Sequence, residues 1–237
     1  MKKLLTMALL LWGIGNLHAQ RKTVEKTLAV PASNNVNLKL TFGNDVKVTA
    51  WDKKEAYVKV TYEINGGKLN EAFQLTFDAS QDQLNVTAGL NEELIKNSSP
   101  TAGDCPEGYS RNFVNYTKGK ASNGACVQIN YEIFLPRHAN LTLETINGNI
   151  ELRGFGGTVN AKSISGFVDM DWSNQNGATV ALKTITGEVY SDVAIDLPEK
   201  QKAAPIVGYQ LKGNVHNGGP SIKLETISNN IYFRQKK

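Results

Sequence analysis

The sequence is poor in the residues that most enzymes use for catalysis or for binding metals. Its 237 residues include two cysteines and three histidines, and no histidine lies near either cysteine. No cysteine–histidine zinc motif and no Ser/His/Asp set can be assembled from them. No glycine-rich loop leads into a helix, so a phosphate-binding loop is also absent. We therefore predict a non-enzymatic protein without a cofactor or a metal.

Strong charge bias is also missing. The chain carries 26 basic and 22 acidic residues, a net charge of +4, and two of the lysines lie at its N-terminus. A balance this close to neutral does not argue for nucleic acid or an anionic membrane surface as a partner. Neither is predicted as a partner.

Long apolar runs are absent except at the start of the chain. Lys2 and Lys3 precede the apolar run Leu4–Trp12, and Ala19 follows at a typical cleavage distance. This order is typical of a signal peptide, here residues 1–19. An uncleaved anchor is the alternative, but spanning a bilayer takes about 20 apolar residues. We expect an exported chain, periplasmic or on the cell surface or extracellular, with no membrane insertion after cleavage.

Cys105 and Cys126 lie in the most loop-like part of the sequence, rich in Gly, Ser and Asn. In an oxidising compartment a single pair favours a disulfide, which closes a loop of this length at a gain of about 3 kcal/mol. Two free thiols are the alternative. Neither cysteine has a neighbouring histidine that could act as its base, so no catalytic cysteine is predicted.

Alternation with period two dominates the chain after residue 30 and predicts an all-β protein. Apolar residues take every second position in VNLKL, DVKVTAW, AYVKVTYEI, FQLTF, QLNVTA and VQINYEIFL. This pattern is typical of half-buried strands. Only NEELIKN resembles a turn of helix.

From residue 141 the pattern becomes a repeat of strand, corner and strand. LETINGNIEL returns as LETISNNIYF, with AKSISGFVDM and LKTITGEVYS between them. The aligned corner residues are Ile146 and Gly148, Ile164 and Gly166, Ile185 and Gly187, and Ile227 and Asn229. Their spacings are 18, 21 and twice 21, so a further copy is expected at Ile206 and Gly208.

Such spacing predicts a β-solenoid in which equivalent strands of successive coils stack in parallel. Four ordinary hairpins are the alternative. In the solenoid the isoleucines form a core ladder, and the glycines and Asn229 supply a left-handed bend. Thr145, Ser163, Thr184 and Thr226 form a hydroxyl ladder that satisfies corner amides. Residues 20–135 would form an N-terminal β-meander or cap, residues 136–237 the repeats, as one continuous domain.

These features together resemble a known family. Early NDVKVTAWD and the passage FLPRHANLTLETINGNIELRGFGG, followed by further copies, are similar to bacterial β-strand-repeat proteins of unknown function called putative adhesins. Pro136, Thr145, Gly148 and Ile150 fit the family pattern, and the resemblance covers residues 36–233. The cysteine loop and Pro205 depart from it. The resemblance implies a solenoid like the head domains of autotransporter-type adhesins, with a binding or scaffolding role in the bacterial envelope.

Outward positions of the second strands are the candidate binding face. The alternation places Glu151, Asp169 and Tyr190 in one row, and Arg153, Asp171 and Asp192 in the next. Phe167 and Tyr232 are also outward, and Trp51, Trp172 and Phe155 are further aromatic residues on which a sugar could stack. A solvated outer face is the alternative. The acids and Arg153 could also serve a carbohydrate-active enzyme or hold calcium.

The function predicted is an adhesin-like binding or scaffolding module whose partner is unknown, with a glycan or a cell-surface protein as candidates. The alternatives are a carbohydrate-active enzyme on a β-helix and a periplasmic accessory of an envelope signalling system.

Overall fold

The chain folds as two mixed β-sheets that pack face to face. The structure is a computed structural model that describes residues 21–105, 107, 110–117, 120–198, 208 and 210–236. Nearly all of the regular structure is strand, which confirms the all-β class. The predicted turn of helix is α1 (Glu92–Lys96), capped by the Asn91 side chain, which accepts from the amides of Glu93 and Leu94. The predicted signal peptide lies outside the described residues.

The strands in chain order are β1 (Lys22–Ala29), β2 (Asn35–Leu40), β3 (Asp45–Trp51), β4 (Glu55–Ile64), β5 (Phe73–Ala79), β6 (Leu84–Leu90), β7 (Ser110–Thr117), β8 (Lys120–Pro136), β9 (Asn140–Thr145), β10 (Asn149–Arg153), β11 (Val159–Ser163), β12 (Val168–Trp172), β13 (Ala178–Lys183), β14 (Val189–Ser191), β15 (Gln210–Val215), β16 (Ser221–Glu225) and β17 (Ile231–Gln235). Short 3-10 turns cover Asn70–Ala72 and Ala102–Asp104.

Sheet A has the order β1-β4-β8-β3-β10-β12-β17-β14, with β7 paired to β8. Sheet B has the order β15-β13-β16-β11-β9-β2-β6-β5. One buried cluster lies between them and runs from Val36 to Phe233. Antiparallel strands β1, β4 and β5 close one end, where Lys26 Nζ lies 4.5 Å from the centre of the Phe77 ring.

Each repeat forms an arch: one strand in sheet B, a corner, and one strand in sheet A. The four arches are the first (β9–β10), the second (β11–β12), the third (β13–β14) and the fourth (β16–β17). β2 and β3 form an earlier arch around the FGN corner. Neighbouring arches pair in parallel through both sheets, so equivalent residues form rows across the stack.

The arches do not stack in chain order. β16 lies between β11 and β13, and β17 lies between β12 and β14, all in parallel. The fourth arch is therefore inserted between the second and the third. β17 therefore has a partner on both sides and does not form an edge of sheet A.

The expected extra copy at Ile206 and Gly208 has no rung in the described part of the stack. Ile206 itself lies outside the described residues. Gly208 has a left-handed backbone, with φ of 78°, and β15 follows it. Because β15 pairs antiparallel with β13, it closes sheet B and does not add a parallel rung.

The corner isoleucines point outward, which corrects the predicted core ladder. Ile146, Ile164 and Ile185 are 36–39% exposed, and Ile227 is half-buried. The strand before each corner sets this orientation. In the first arch Leu143 and Thr145 face the core, so strict alternation turns Ile146 to solvent.

The hydroxyl residues take the inward place, and their predicted ladder is confirmed. Ser163 Oγ accepts from the Gly166 amide at 2.9 Å and donates to the Gly148 carbonyl of the first arch at 2.8 Å. Thr226 donates to the Gly166 carbonyl at 2.7 Å. Each hydroxyl thus satisfies buried corner groups that water cannot reach.

The corner glycines are needed for space and not for a left-handed bend. Gly148, Gly166 and Gly187 lack the positive φ that was expected, and so does Asn229. A Cβ on Gly166 would lie 2.0 Å from the Gly148 carbonyl oxygen, and one on Gly187 would lie 2.0 Å from the Asn229 carbonyl oxygen. Successive corners approach too closely for a side chain at these two positions.

Candidate functional site

The candidate site lies on the outer face of sheet A, where β12, β17 and β14 meet. Alternation along β12 buries Val168, Met170 and Trp172 between the sheets. Its intervening residues Asp169 and Asp171 therefore lie on the outer side. β17 does the same, with Ile231 and Phe233 inward and Tyr232 and Arg234 outward.

Strand register brings four of the predicted residues into one row. Glu151 pairs with Asp169, Asp169 with Tyr232, and Tyr232 with Tyr190. The sequence prediction placed Tyr190 next to Asp169. Insertion of the fourth arch puts Tyr232 between them.

Phe167, Tyr232 and Tyr190 form a continuous aromatic column. The Tyr190 and Tyr232 rings stack with centroids 5.4 Å apart and planes tilted by 11°. Phe167 meets Tyr232 edge-on at 6.1 Å. Both are favourable aromatic geometries. The Arg234 guanidinium carbon also lies 4.8 Å from the centre of the Tyr232 ring.

Of these rings Tyr190 is the most accessible. It is 47% exposed and lies on β14, the last strand of sheet A in the described part of the chain. Its hydroxyl donates to the Glu188 carboxylate. That hydrogen bond, together with the carboxylate charge, raises the pKa of Tyr190 above its usual value. Tyr190 therefore presents a protonated phenol beside a carboxylate, whereas Tyr232 is half-buried.

The predicted acidic cluster is held in structural ion pairs. Asp169 is buried, with one oxygen 3.1 Å from Nη1 of Arg153 and the other 3.1 Å from Nη2 of Arg234. Glu151 lies 3.4 Å from Arg153 and 3.8 Å from Lys47. Two guanidinium groups thus hold the Asp169 side chain in place between three strands through charge-assisted hydrogen bonds.

The remaining acids of the cluster accept backbone hydrogen bonds. Asp171 accepts from the Gly154 amide at 2.7 Å, and Asp192 accepts from the Gln235 amide. Each carboxylate thus accepts a hydrogen bond from the backbone of a neighbouring arch or turn. Within the described residues no group of three or more His, Cys, Asp and Glu side chains could hold a metal ion.

Other aromatics named from the sequence lie away from this column. Trp172 and Phe155 are buried in the core. Trp51 lies at the end of β3, where its ring centre is 5.3 Å from that of Phe134. Tyr57 adjoins Phe134 at 6.1 Å, so the outer face carries a second aromatic group.

Sequence reasoning missed Arg234 and Glu188 as members of the site. Arg234 reaches Asp169 only because the fourth arch lies beside the second, which the chain order of the repeats conceals. Glu188 could have been found, since it lies two residues before Tyr190 on the same face of a predicted strand.

The two cysteines form the disulfide, Cys105–Cys126, that the sequence favoured. The preceding residue, Asp104, is buried and bonded to Lys68 Nζ at 2.7 Å and to the Thr101 amide and hydroxyl, each at 2.8 Å. Burial alone would raise the pKa of Asp104, but the bonds from Lys68 and Thr101 outweigh it and lower the pKa. The contacts of Asp104 with Lys68 and Thr101 therefore hold the disulfide loop in place in addition to the disulfide itself.

Comparison with solved structures finds one protein that shares this fold. The crystal structure of a putative cell adhesion protein from Clostridium sporogenes ATCC 15579 aligns with 92% of this chain and 100% of its own, with a TM-score of 0.54 and 12% identity. That of a putative adhesin from Bacteroides fragilis NCTC 9343 covers 92% of this chain and 99% of its own, with a TM-score of 0.24 and 9% identity. The first likeness shows a shared fold.

No protein-family model matches the sequence, and no curated protein matches it. Across the described residues no helix has the length and apolar character needed to span a bilayer.

Proposed function

We propose that this chain is an exported, non-enzymatic, adhesin-like protein that binds a glycan through the aromatic column on sheet A. The observation that carries the proposal is Tyr190, a large aromatic ring that is half exposed on a rigid sheet edge. Its hydroxyl and the Glu188 carboxylate provide polar groups at the margin of the ring.

The chemistry suits a sugar. A pyranose ring offers one face of C–H groups that packs on an aromatic ring, and hydroxyls at its edge that seek hydrogen-bond partners. Tyr190 supplies such a ring, already fixed by stacking on Tyr232. Because little side-chain freedom remains to be lost on binding, the site is preorganised. A cell-surface protein is the other candidate ligand.

An adhesin-like role also agrees with the likeness in fold to the Clostridium sporogenes protein. The disulfide is compatible with export through the signal peptide predicted at residues 1–19. The contacts of Asp169, Asp171 and Asp192 give each carboxylate a structural role, so the carbohydrate-active enzyme is not proposed further. No observation favours the signalling accessory.

We also propose that the four arches are coils of a β-solenoid, of which the last is inserted out of order. The parallel register through both sheets and the hydroxyl ladder between corners support this description.

Glycan-array screening of the exported protein, followed by calorimetry on the best ligand, tests the function. Tyr190→Ala is expected to weaken binding about tenfold, since an aromatic contact contributes about 0.5–1.5 kcal/mol. Tyr57→Ala is the matched control, because Tyr57 also donates to a glutamate, Glu25, at 2.8 Å on the same sheet. Blank arrays, or equal binding by Tyr190→Ala and wild type, would refute the proposal.

A further inference from the structure

The fourth arch is the last element of the chain, yet it lies inside the stack. β16 contacts β11 and β13, and β17 contacts β12 and β14. All four of these neighbours precede the arch in the sequence. The second and third arches border a slot one rung wide, which the fourth arch fills.

The slot buries much of the fourth arch. Five side chains of the arch are fully buried in it: Ile222, Leu224, Thr226, Ile231 and Phe233. While the arch is absent, the core of the slot and four strand edges lie open to solvent. Such edges readily pair with a strand from another chain.

A short hinge, residues 216–220, joins the arch to β15. Since β15 and β16 lie on opposite sides of β13, the hinge crosses over the start of β13. The crossing is tight, because a Cβ on Gly177 would lie 2.0 Å from the Gly218 carbonyl oxygen. His216 is held at φ of 51°, a left-handed conformation that side chains rarely adopt. Short hinges under strain favour domain swapping.

The strand register and the polar contacts of the fourth arch favour a second copy of this chain as the partner that fills the slot. Glu225 lies between Lys162 and Lys183, Thr226 donates to the Gly166 carbonyl, and Arg234 pairs with Asp169. An arch from an identical chain satisfies all of these groups, and a strand of unrelated sequence would not.

We propose that the fourth arch is exchanged between two copies, so that the arch of each copy fills the slot of the other. Every contact of the arch is then remade between molecules, and the strained hinge is free to extend. Such an exchange is a low-cost route to a dimer. Because Tyr232 lies on β17, the exchange would assemble the aromatic column from two copies, but the proposal does not depend on glycan binding.

Cross-linking between two differently tagged full-length variants tests the exchange. Asn160 of β11 and Lys223 of β16 are direct partners in the parallel ladder and lie outside the core. An Asn160→Cys protein and a Lys223→Cys protein are incubated together in sub-denaturing urea, diluted and mildly oxidised. Exchange is expected to give a cross-linked heterodimer, identified by mass spectrometry of the joined peptides.

The matched control mixes Asn160→Cys with Thr142→Cys. Thr142 is the partner of Asn160 on its other side, in β9, which stays in the same copy during exchange. This mixture should give no heterodimer above background. Asn160→Cys/Lys223→Cys in one chain should close its disulfide, which shows that the variants fold and that the geometry allows the bond. If it closes and the first mixture gives no more heterodimer than the control, the proposal is overturned.

Discussion

Arg234 at the end of the chain forms an ion pair with Asp169 of the second arch, with 3.1 Å between Nη2 and Oδ2. The pair requires β17 to lie next to β12. Rows of charge on sheet B agree with that order, since Lys39, Glu144, Lys162, Glu225 and Lys183 follow one another across five strands. Stacking in chain order would put Lys162 beside Lys183. Charge alternation therefore favours insertion of the fourth arch.

Glu225→Lys should destabilise the fold by about 1 kcal/mol, because like charges directly opposite one another repel and favourable cross-strand charge pairs are lost. The free energy of unfolding from urea denaturation measures the effect. Glu225→Gln should cost less. Adding Lys183→Glu to Glu225→Lys should recover part of the loss, and absence of any recovery would mean that the row of charges does not contribute.

Gly166→Ala should destabilise the fold by about 2–3 kcal/mol, as for other overpacked sites. The new methyl group would meet the Gly148 carbonyl, a backbone atom that cannot turn away. Gly89→Ala is the control, since a Cβ there meets nothing within 4 Å. Equal midpoints for the two variants in chemical denaturation would contradict the close approach of the corners.

Thr226→Val should cost about 1–3 kcal/mol, because it leaves a buried carbonyl without its donor. The acceptor is the Gly166 oxygen, 2.7 Å away. Thr186→Val provides the comparison. Thr186 also donates to a corner carbonyl, that of Ile227, but it is exposed, so water can replace its hydroxyl. Thermal and urea denaturation of both variants should show a loss for Thr226→Val alone.

Asp104 should make stability fall in acid. The folded pKa is lowered, so its contribution is complete above the unfolded pKa of about 3.9 and is lost as pH falls through the folded pKa. Asp104→Asn should cost about 1 kcal/mol at neutral pH, a modest value because Lys68 is largely exposed.

Urea denaturation at neutral and acid pH tests this expectation. The difference between wild type and Asp104→Asn should shrink as the pH falls below about 4. Asp52→Asn, whose carboxylate is 85% exposed beside Arg137, should follow wild type closely at each pH. A difference between wild type and Asp104→Asn that stays constant with pH would contradict the assignment.

Sequence reasoning succeeded where a local pattern decides the structure. Alternation predicted β2 to β6 and the second half of β8, but it missed β7, which lies in the stretch taken for a loop. The spacing of Thr145, Ser163, Thr184 and Thr226 predicted the hydroxyl ladder. It was wrong about Ile146 and the other corner isoleucines, because it placed them in the core although alternation after Leu143 and Thr145 turns Ile146 to solvent. At Gly166 the sequence correctly indicated a position that requires glycine, but it attributed the requirement to a left-handed bend. The actual reason is the close approach of the Gly148 corner, which belongs to another arch.

In the candidate site, too, local pattern predicted some features and long-range packing decided others. Outward positions of Asp169, Tyr190 and Tyr232 follow from alternation within each strand, but their neighbours depend on the order of the arches.

The sequence by itself determined the all-β class, the repeating arch and which side of most strands faces the core, because these depend on neighbours along the chain. Only the tertiary structure decided that the last arch enters between the second and the third, so that Tyr232 separates Tyr190 from Asp169 and Arg234 reaches Asp169. Four arches of nearly equal shape fit one another in several orders. The choice among them rests on pairings between residues far apart in sequence, such as Glu225 opposite Lys162 and Lys183 in the strand register, which no local pattern reveals.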